Sequence, residues 1–183
     1  MLRLIVPAVE SWDDKTEEFV VVAKEQELQL EHSLISLSKW ESKWQKPFLT
    51  KDTKTDEEVI DYIRCMTISQ NIKDDVYDRL SRSNIETVHK YIDDPMTATT
   101  FYENGSKGGS GAKETITSEL IYYWMITLNI PMECQKWHLN RLLTLVRICN
   151  IKNAPAKKTS KRDLMSRYAA LNAARRNKMN STG

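Results

Sequence analysis

The stretch that decides the fold class is Glu119-Leu-Ile-Tyr-Tyr-Trp-Met-Ile-Thr-Leu-Asn-Ile-Pro-Met-Glu-Cys-Gln-Lys-Trp-His-Leu-Asn-Arg-Leu-Leu-Thr-Leu145. With Ile116 just before it, apolar side chains recur at Leu120, Trp124 and Leu128, the three-to-four spacing of one helix face. Asn129 and Pro131 break that row, because proline lacks the backbone donor that a helix interior needs. A second row, Trp137, Leu142, Leu143 and Val146, predicts another inward-facing helix over 132–149. Two helices joined by so short a break form a hairpin.

Toward the N-terminus the period changes. Residues 2–6 are a short apolar run ended by Pro7, and residues 18–22 are a second run rich in Phe and Val. Ser11, Asp13 and Asp14 supply turn chemistry between them, so the two runs read as a hairpin, and the alternation of Leu28 and Leu30 with Gln29 and Glu31 offers a third strand. From Ser33 the spacing lengthens: Leu34, Leu37, Trp40 and Trp44 mark a helix that Pro47 closes. Thr55 and Glu58 have capping-box spacing ahead of Val59, Ile60, Ile63 and Met66. A shorter helix follows over 74–80, and Ile85, Val88, His89 and Ile92 form another stripe closed by Asp93, Asp94 and Pro95.

Four of the five glycines fall between Gly105 and Gly111, the composition of a flexible linker. Near the other end, Ser160 and Asp163 mark a helix start, with Leu164, Tyr168 and Leu171 as a narrow apolar row on a basic helix. The fold class expected is mainly α: a short N-terminal β-hairpin or meander, a helical bundle and a basic C-terminal helix. The organisation expected is strands plus helices over 1–102, a glycine-rich loop over 103–113, a helical hairpin over 114–153 and a basic arm over 154–183.

Charge is divided unevenly along the chain. Residues 1–151 carry 18 Lys/Arg against 24 Asp/Glu, a net −6, whereas 152–183 carry nine Lys/Arg and one Asp, a net +8. Such an arm suits nucleic acid, an acidic protein surface or water. Three widely spaced cysteines, Cys65, Cys134 and Cys149, do not suit a disulfide-stapled secreted domain and point to a reducing compartment. The longest uncharged apolar-rich stretch is residues 120–132, shorter than the roughly 20 residues needed to span a bilayer, so no membrane association is expected.

Chemistry-bearing patterns are weak. Cys134 and His138 share a helix face, but Cys65 and Cys149 stand alone, whereas structural zinc sites supply close ligand pairs, so no metal is expected. The glycine cluster misses the phosphate-loop pattern, since Ser110 stands five after Gly105 and Glu114 follows Lys113. No cofactor is expected. A dyad of Cys134 or Cys149 with His89 or His138 has no local signature, and the paired carboxylates Asp74–Asp75 and Glu57–Glu58 suit solvated helix starts better than acid/base work. Catalytic residues are therefore not assigned. The aromatic row Tyr122, Tyr123, Trp124 and Trp137 suits core, with some of it at a self-association interface.

Residues 119–145, together with Pro95-Met-Thr-Ala-Thr-Thr-Phe101 and Ser166-Arg-Tyr-Ala-Ala-Leu-Asn-Ala-Ala-Arg175, resemble tail assembly chaperones of long-tailed bacteriophages, as does the order of strands followed by helices. The resemblance covers nearly the whole chain, and none of its residues is a catalytic signature. It implies a multimeric, non-structural morphogenesis factor of the host cytoplasm. Such a factor coats the tape measure protein, keeps it soluble and helps recruit tail tube protein, without enzyme activity. On that footing Trp124, Met125, Trp137 and Leu142 hold the helical hairpin or its self-association, Leu164, Tyr168 and Leu171 face the client, and Arg162, Arg167, Arg175 and Arg176 steer encounter. Two other roles remain open at this point: a nucleic-acid-associated protein using the basic arm, and a minor structural tail or head-completion protein.

Overall fold

Alternation along the first and fourth strands explains how the N-terminal ribbon meets the helices. In the computed structural model, which describes residues 1–15, 17–101, 115–154 and 161–179, β1 (Leu2–Val6) pairs antiparallel with β4 (Gln26–Leu30), Leu2 opposite Leu30 and Leu4 opposite Leu28. Because side chains alternate between faces, Leu4, Val6, Leu28 and Leu30 are buried while Ile5 is exposed. A second antiparallel ladder, β2 (Val9–Asp13) with β3 (Glu18–Ala23), sets Trp12 opposite Phe19.

This pairing corrects the reading of residues 2–6 and 18–22 as partners. Ser11 and Asp13 belong to β2, and the tight turn sits at Asp14, Lys15 and Glu17, where Glu17 N–H donates to the Asp13 carbonyl at 2.9 Å. Strand β2 buries no side chain, so it carries no hydrophobic period by which the sequence could announce it.

Helix α1 (Leu34–Trp44) starts at Ser33, whose hydroxyl accepts from Ser36 N–H, and ends at Gln45 in the left-handed region, φ 52°, two residues before Pro47. Helix α2 (Asp56–Met66) has the expected reciprocal cap between Thr55 and Glu58. Its buried face is Tyr62, Ile63 and Met66 with the carboxylates of Glu58 and Asp61, while Val59 and Ile60 are half-buried. Helices α3 (Asp75–Asp78) and α4 (Arg82–Asp93) follow, α4 burying Val88 and Tyr91 and leaving His89 exposed.

The helical hairpin departs from expectation in two ways. Helix α5 (Ser118–Thr127) buries Ser118, Ile121 and Met125, not the row Leu120, Trp124 and Leu128, which is half-buried, and Ile116 is exposed ahead of it. Apolar side chains occupy almost every position from Leu120 to Ile126, so spacing could not select the face. The single helix expected over 132–149 is a 3-10 helix, Met132–Lys136, then a break, then α6 (Leu139–Asn153), whose buried residues are Leu139, Leu142 and Val146. The break is imposed from outside the segment: His138 bridges to Ser33 in strand fashion, and Leu139 N–H donates to the His32 carbonyl at 2.7 Å.

Two hydrophobic clusters result, and α1 contributes to both. Trp40 joins the ribbon leucines, Tyr62 and Ile63 in the first, while Leu34 and Leu37 join Ile121, Met125, Leu139 and Leu142 in the second. Among the described residues helix outweighs strand, so the fold is helix-rich with a small antiparallel part. Met1–Asn150 and Ile151–Gly183 form two compact units, and α7 (Lys161–Met179) lies in the second. The glycine-rich loop expected over 103–113 lies outside the described residues.

Candidate protein-interaction surfaces

The outer ladder is held out by its joint with the inner one. Between the two ladders the Arg79 guanidinium donates through Nη1 to the carbonyls of Pro7, at 3.0 Å, and Lys24, at 3.3 Å. Asn84 Nδ2 donates to the Ile5 carbonyl at 3.0 Å. Beyond this joint Val9, Trp12 and the run Phe19, Val20, Val21 and Val22 are all exposed, Phe19 at 69% and Val22 at 67%. The register slips by one residue at Val9/Glu10, which leaves Val22 with no residue opposite. Trp12 and Phe19 meet edge-to-face at 5.1 Å, and that contact is small beside the apolar surface left in water. A run of four apolar residues normally signals a strand buried on both faces; here neither face is covered among the described residues.

The second surface is α7. All its described side chains are exposed, including Tyr168 at 63%, Leu171 at 49%, Arg175 and Arg176. The side chains of Arg162, Leu164 and Arg167 lie outside the description, so the expected client-facing row is seen only at Tyr168 and Leu171. Met165 and Met179, which that row did not include, are exposed as well.

The four hairpin residues are placed in or against the core. Met125 and Leu142 are fully buried in the second cluster, and Trp124 and Trp137 are half-buried against it, with the Arg141 guanidinium 4.3 Å over the Trp137 ring. Buried atoms offer no surface to another copy. Of the aromatic row only Tyr123 is largely exposed. A carboxylate that spacing did not single out ties this hairpin to α1: buried Glu41 accepts from Ser118 N–H at 2.7 Å and from Phe48 N–H at 2.9 Å. It thereby satisfies a donor at the start of α5 that no intrahelical carbonyl can reach.

Buried titratable groups form a structural seam between the clusters. His32 Nδ1 lies 2.6 Å from the Tyr62 hydroxyl, and the His32 and His138 rings meet edge-on at 5.1 Å. His138 Nε2–H donates to the Tyr91 carbonyl at 3.0 Å, and its Nδ1 accepts from Asn140 N–H at 3.3 Å, a set of bonds that fits the neutral ring. Burial, helped by His138, pushes His32 down to about 3, and burial also lowers His138. The same desolvation raises the Cys134 and Cys65 thiols, the wrong direction for a nucleophile. With both His138 nitrogens engaged by backbone, a Cys134–His138 dyad lacks a free base. Among the described residues no three His, Cys, Asp or Glu side chains gather as a metal site would require.

On α2 the Lys46 ammonium, followed by the Thr55 cap, holds the Glu58 carboxyl below its ordinary range. Burial alone would raise Asp61, but Lys43, the Trp44 indole N–H and Arg64 outweigh it and hold it low. Each of these carboxylates has its donors, so they brace α1 against α2. No helix among the described residues is long and apolar enough to cross a membrane.

No family model matches the chain, and no curated protein or solved structure matches it. Two exposed surfaces, one an apolar ribbon and one a basic helix, therefore ground the functional reading.

Proposed function

We propose that this chain is a non-catalytic binding protein that takes a polypeptide client on α7. Following the resemblance of 119–145 and its flanks, we place it as a tail assembly chaperone of a long-tailed phage. The observation that carries the reading is the uniform exposure of α7, in which Met165, Tyr168, Leu171 and Met179 are 49% to 78% exposed among basic neighbours. Most helix stability in proteins comes from packing one face. A client that covers Tyr168 and Leu171 provides that face, while Arg175 and Arg176 favour acidic stretches of it.

The client is then the tape measure protein, a long helical polypeptide whose apolar stripes aggregate until the tail tube protein encloses them. The work is done in the host cytoplasm, needs no cofactor, and leaves the chaperone outside the finished virion.

Removal of residues 156–183, with co-expression of the tape measure protein, tests this. Client that stays soluble with the full chain and precipitates with the shortened one supports the reading. Undiminished solubility sinks α7 as the binding element. The +8 charge of the arm favours a second reading, nucleic-acid binding, which predicts affinity falling steeply with salt and a real preference for one sequence or shape. A fixed copy number in purified particles, read by mass spectrometry, would instead make the chain a structural tail or head-completion component.

A further inference from the structure

The outer edge of β3 has the features of a strand that pairs with another strand. Each ladder is two-stranded among the described residues, so β2 and β3 each leave one row of backbone donors and acceptors unpaired. The two edges differ in kind. Strand β2 carries Glu10 and Asp13 and begins two residues after Pro7, devices that discourage edge-to-edge pairing. Strand β3 carries no charge and no proline from Phe19 to Ala23, and its apolar side chains are exposed on both faces. Uncharged β-branched edges of this length pair readily.

Charge at the ends of β3 selects the partner. Glu17 and Glu18 flank the run on one side and Lys24, followed by Glu25, on the other, all four exposed. A second β3 laid antiparallel and centred on Val21 sets Glu18 opposite Lys24 of the other copy but Glu17 opposite Glu25, so attraction and repulsion offset each other. Centred between Val20 and Val21, it sets Glu17 opposite Lys24 at both ends with no like charges opposed. A parallel neighbour would set Glu18 beside Glu18 and Lys24 beside Lys24. Only the antiparallel arrangement is self-complementary, and it is the one a two-fold axis generates.

We infer that two copies of this chain associate through the outer edge of β3, joining two β2–β3 ladders into a four-stranded antiparallel sheet across a two-fold axis. Pairing satisfies the free backbone groups of β3 and brings Phe19, Val20, Val21 and Val22 of the two copies side by side. It also lifts the ribbon above the two-strand minimum that is marginal in water. The pairing rests on β3 and is independent of what α7 binds.

Reciprocal charge reversal on the full-length chain tests it. Lys24→Glu opposes acidic side chains at both ends of the pairing, and the double change Glu17→Lys, Glu18→Lys opposes basic ones there. Each variant alone should dissociate at least about tenfold more readily than the original in sedimentation equilibrium, because every lost pair counts twice across the axis. An equimolar mixture of the two should recover association as a mixed dimer. Circular dichroism matched to the original chain reports that each variant is folded, and the mixture reports the interface even if one variant is weakened. An original chain that stays monomeric at its highest soluble concentration overturns the inference. So do association untouched by both variants, a mixture no tighter than its components, and an original chain that takes up extended peptides on this edge while remaining monomeric.

Discussion

The inner and outer ladders of the N-terminal ribbon use the same antiparallel backbone to opposite ends. The β1–β4 ladder turns Leu4, Val6, Leu28 and Leu30 into the first cluster, each at most 4% exposed. The β2–β3 ladder, reached within three residues of Val6, buries nothing completely. The difference teaches that strand formation and strand burial are separate facts: hydrogen bonds and β-branched side chains suffice for the outer ladder, while only the inner one contributes core. The largest way to break the comparison is Leu30→Ala, which removes a side chain with no solvent exposure. It should cost about 2–5 kcal/mol, read from the shift of the urea midpoint at unchanged slope. A cost below about 1 kcal/mol would mean that the inner ladder is no more essential to the core than the outer.

The inner ladder also runs directly into a buried histidine, which gives the comparison a pH axis. Strand β4 ends at Leu30, and His32, 1% exposed, sits two residues on. Burial and the neighbouring His138 push it down to about 3 from an ordinary value of 6.5. The unfolded chain therefore takes up a proton below about pH 6.5 that the folded chain refuses until about pH 3. Stability present above the unfolded value is lost as pH falls through this window, at about 1.4 kcal/mol per pH unit for one such group. His138, lowered in the same direction, adds to the slope. Glu58 and Asp61, held below their ordinary range, lose their contribution only at more acidic pH. Between pH 6.5 and 5 the slope is thus a histidine signal, and His32→Asn should flatten it. Equal slopes for the two proteins over that interval would remove His32 from the acid response.

Most of the helices were legible in the sequence, and their starts more so than their faces. Thr55 announced itself because a cap is a local bond between residues three apart, Thr55 with Glu58. Ser33 was legible only as the place where the spacing lengthens, and its bond with Ser36 was not. The buried face of α5 was not legible, because apolar residues surround it and only the position of α1 decides that Ile121 and Met125 turn inward. Nor was the break at His138, which exists to meet Ser33 and His32 more than a hundred positions away. Tyr168 and Leu171 were readable as an apolar row on a basic helix. The ribbon surface was readable as a strand but not as a surface, since the run from Phe19 to Val22 has the composition of a buried strand. A pattern of that kind records what a segment can be buried against, and the covering partner need not belong to the same chain.

The smallest expected effect sharpens this last point. Val22 is 67% exposed and has no residue opposite it in β2, so Val22→Thr removes little intramolecular packing, keeps the branched shape that suits a strand, and gives the new hydroxyl access to water. In dilute solution the change should lie within about 0.5 kcal/mol, far below the cost at Leu30. Association makes stability depend on protein concentration, so if β3 is covered by a second copy, the melting temperature of the original chain should climb as it is concentrated. That of the variant should climb less, because a buried threonine loses an apolar contact and gains a hydroxyl to satisfy. A large loss in dilute solution would show instead that Val22 is covered within the single chain, and the contrast between the two ladders would close.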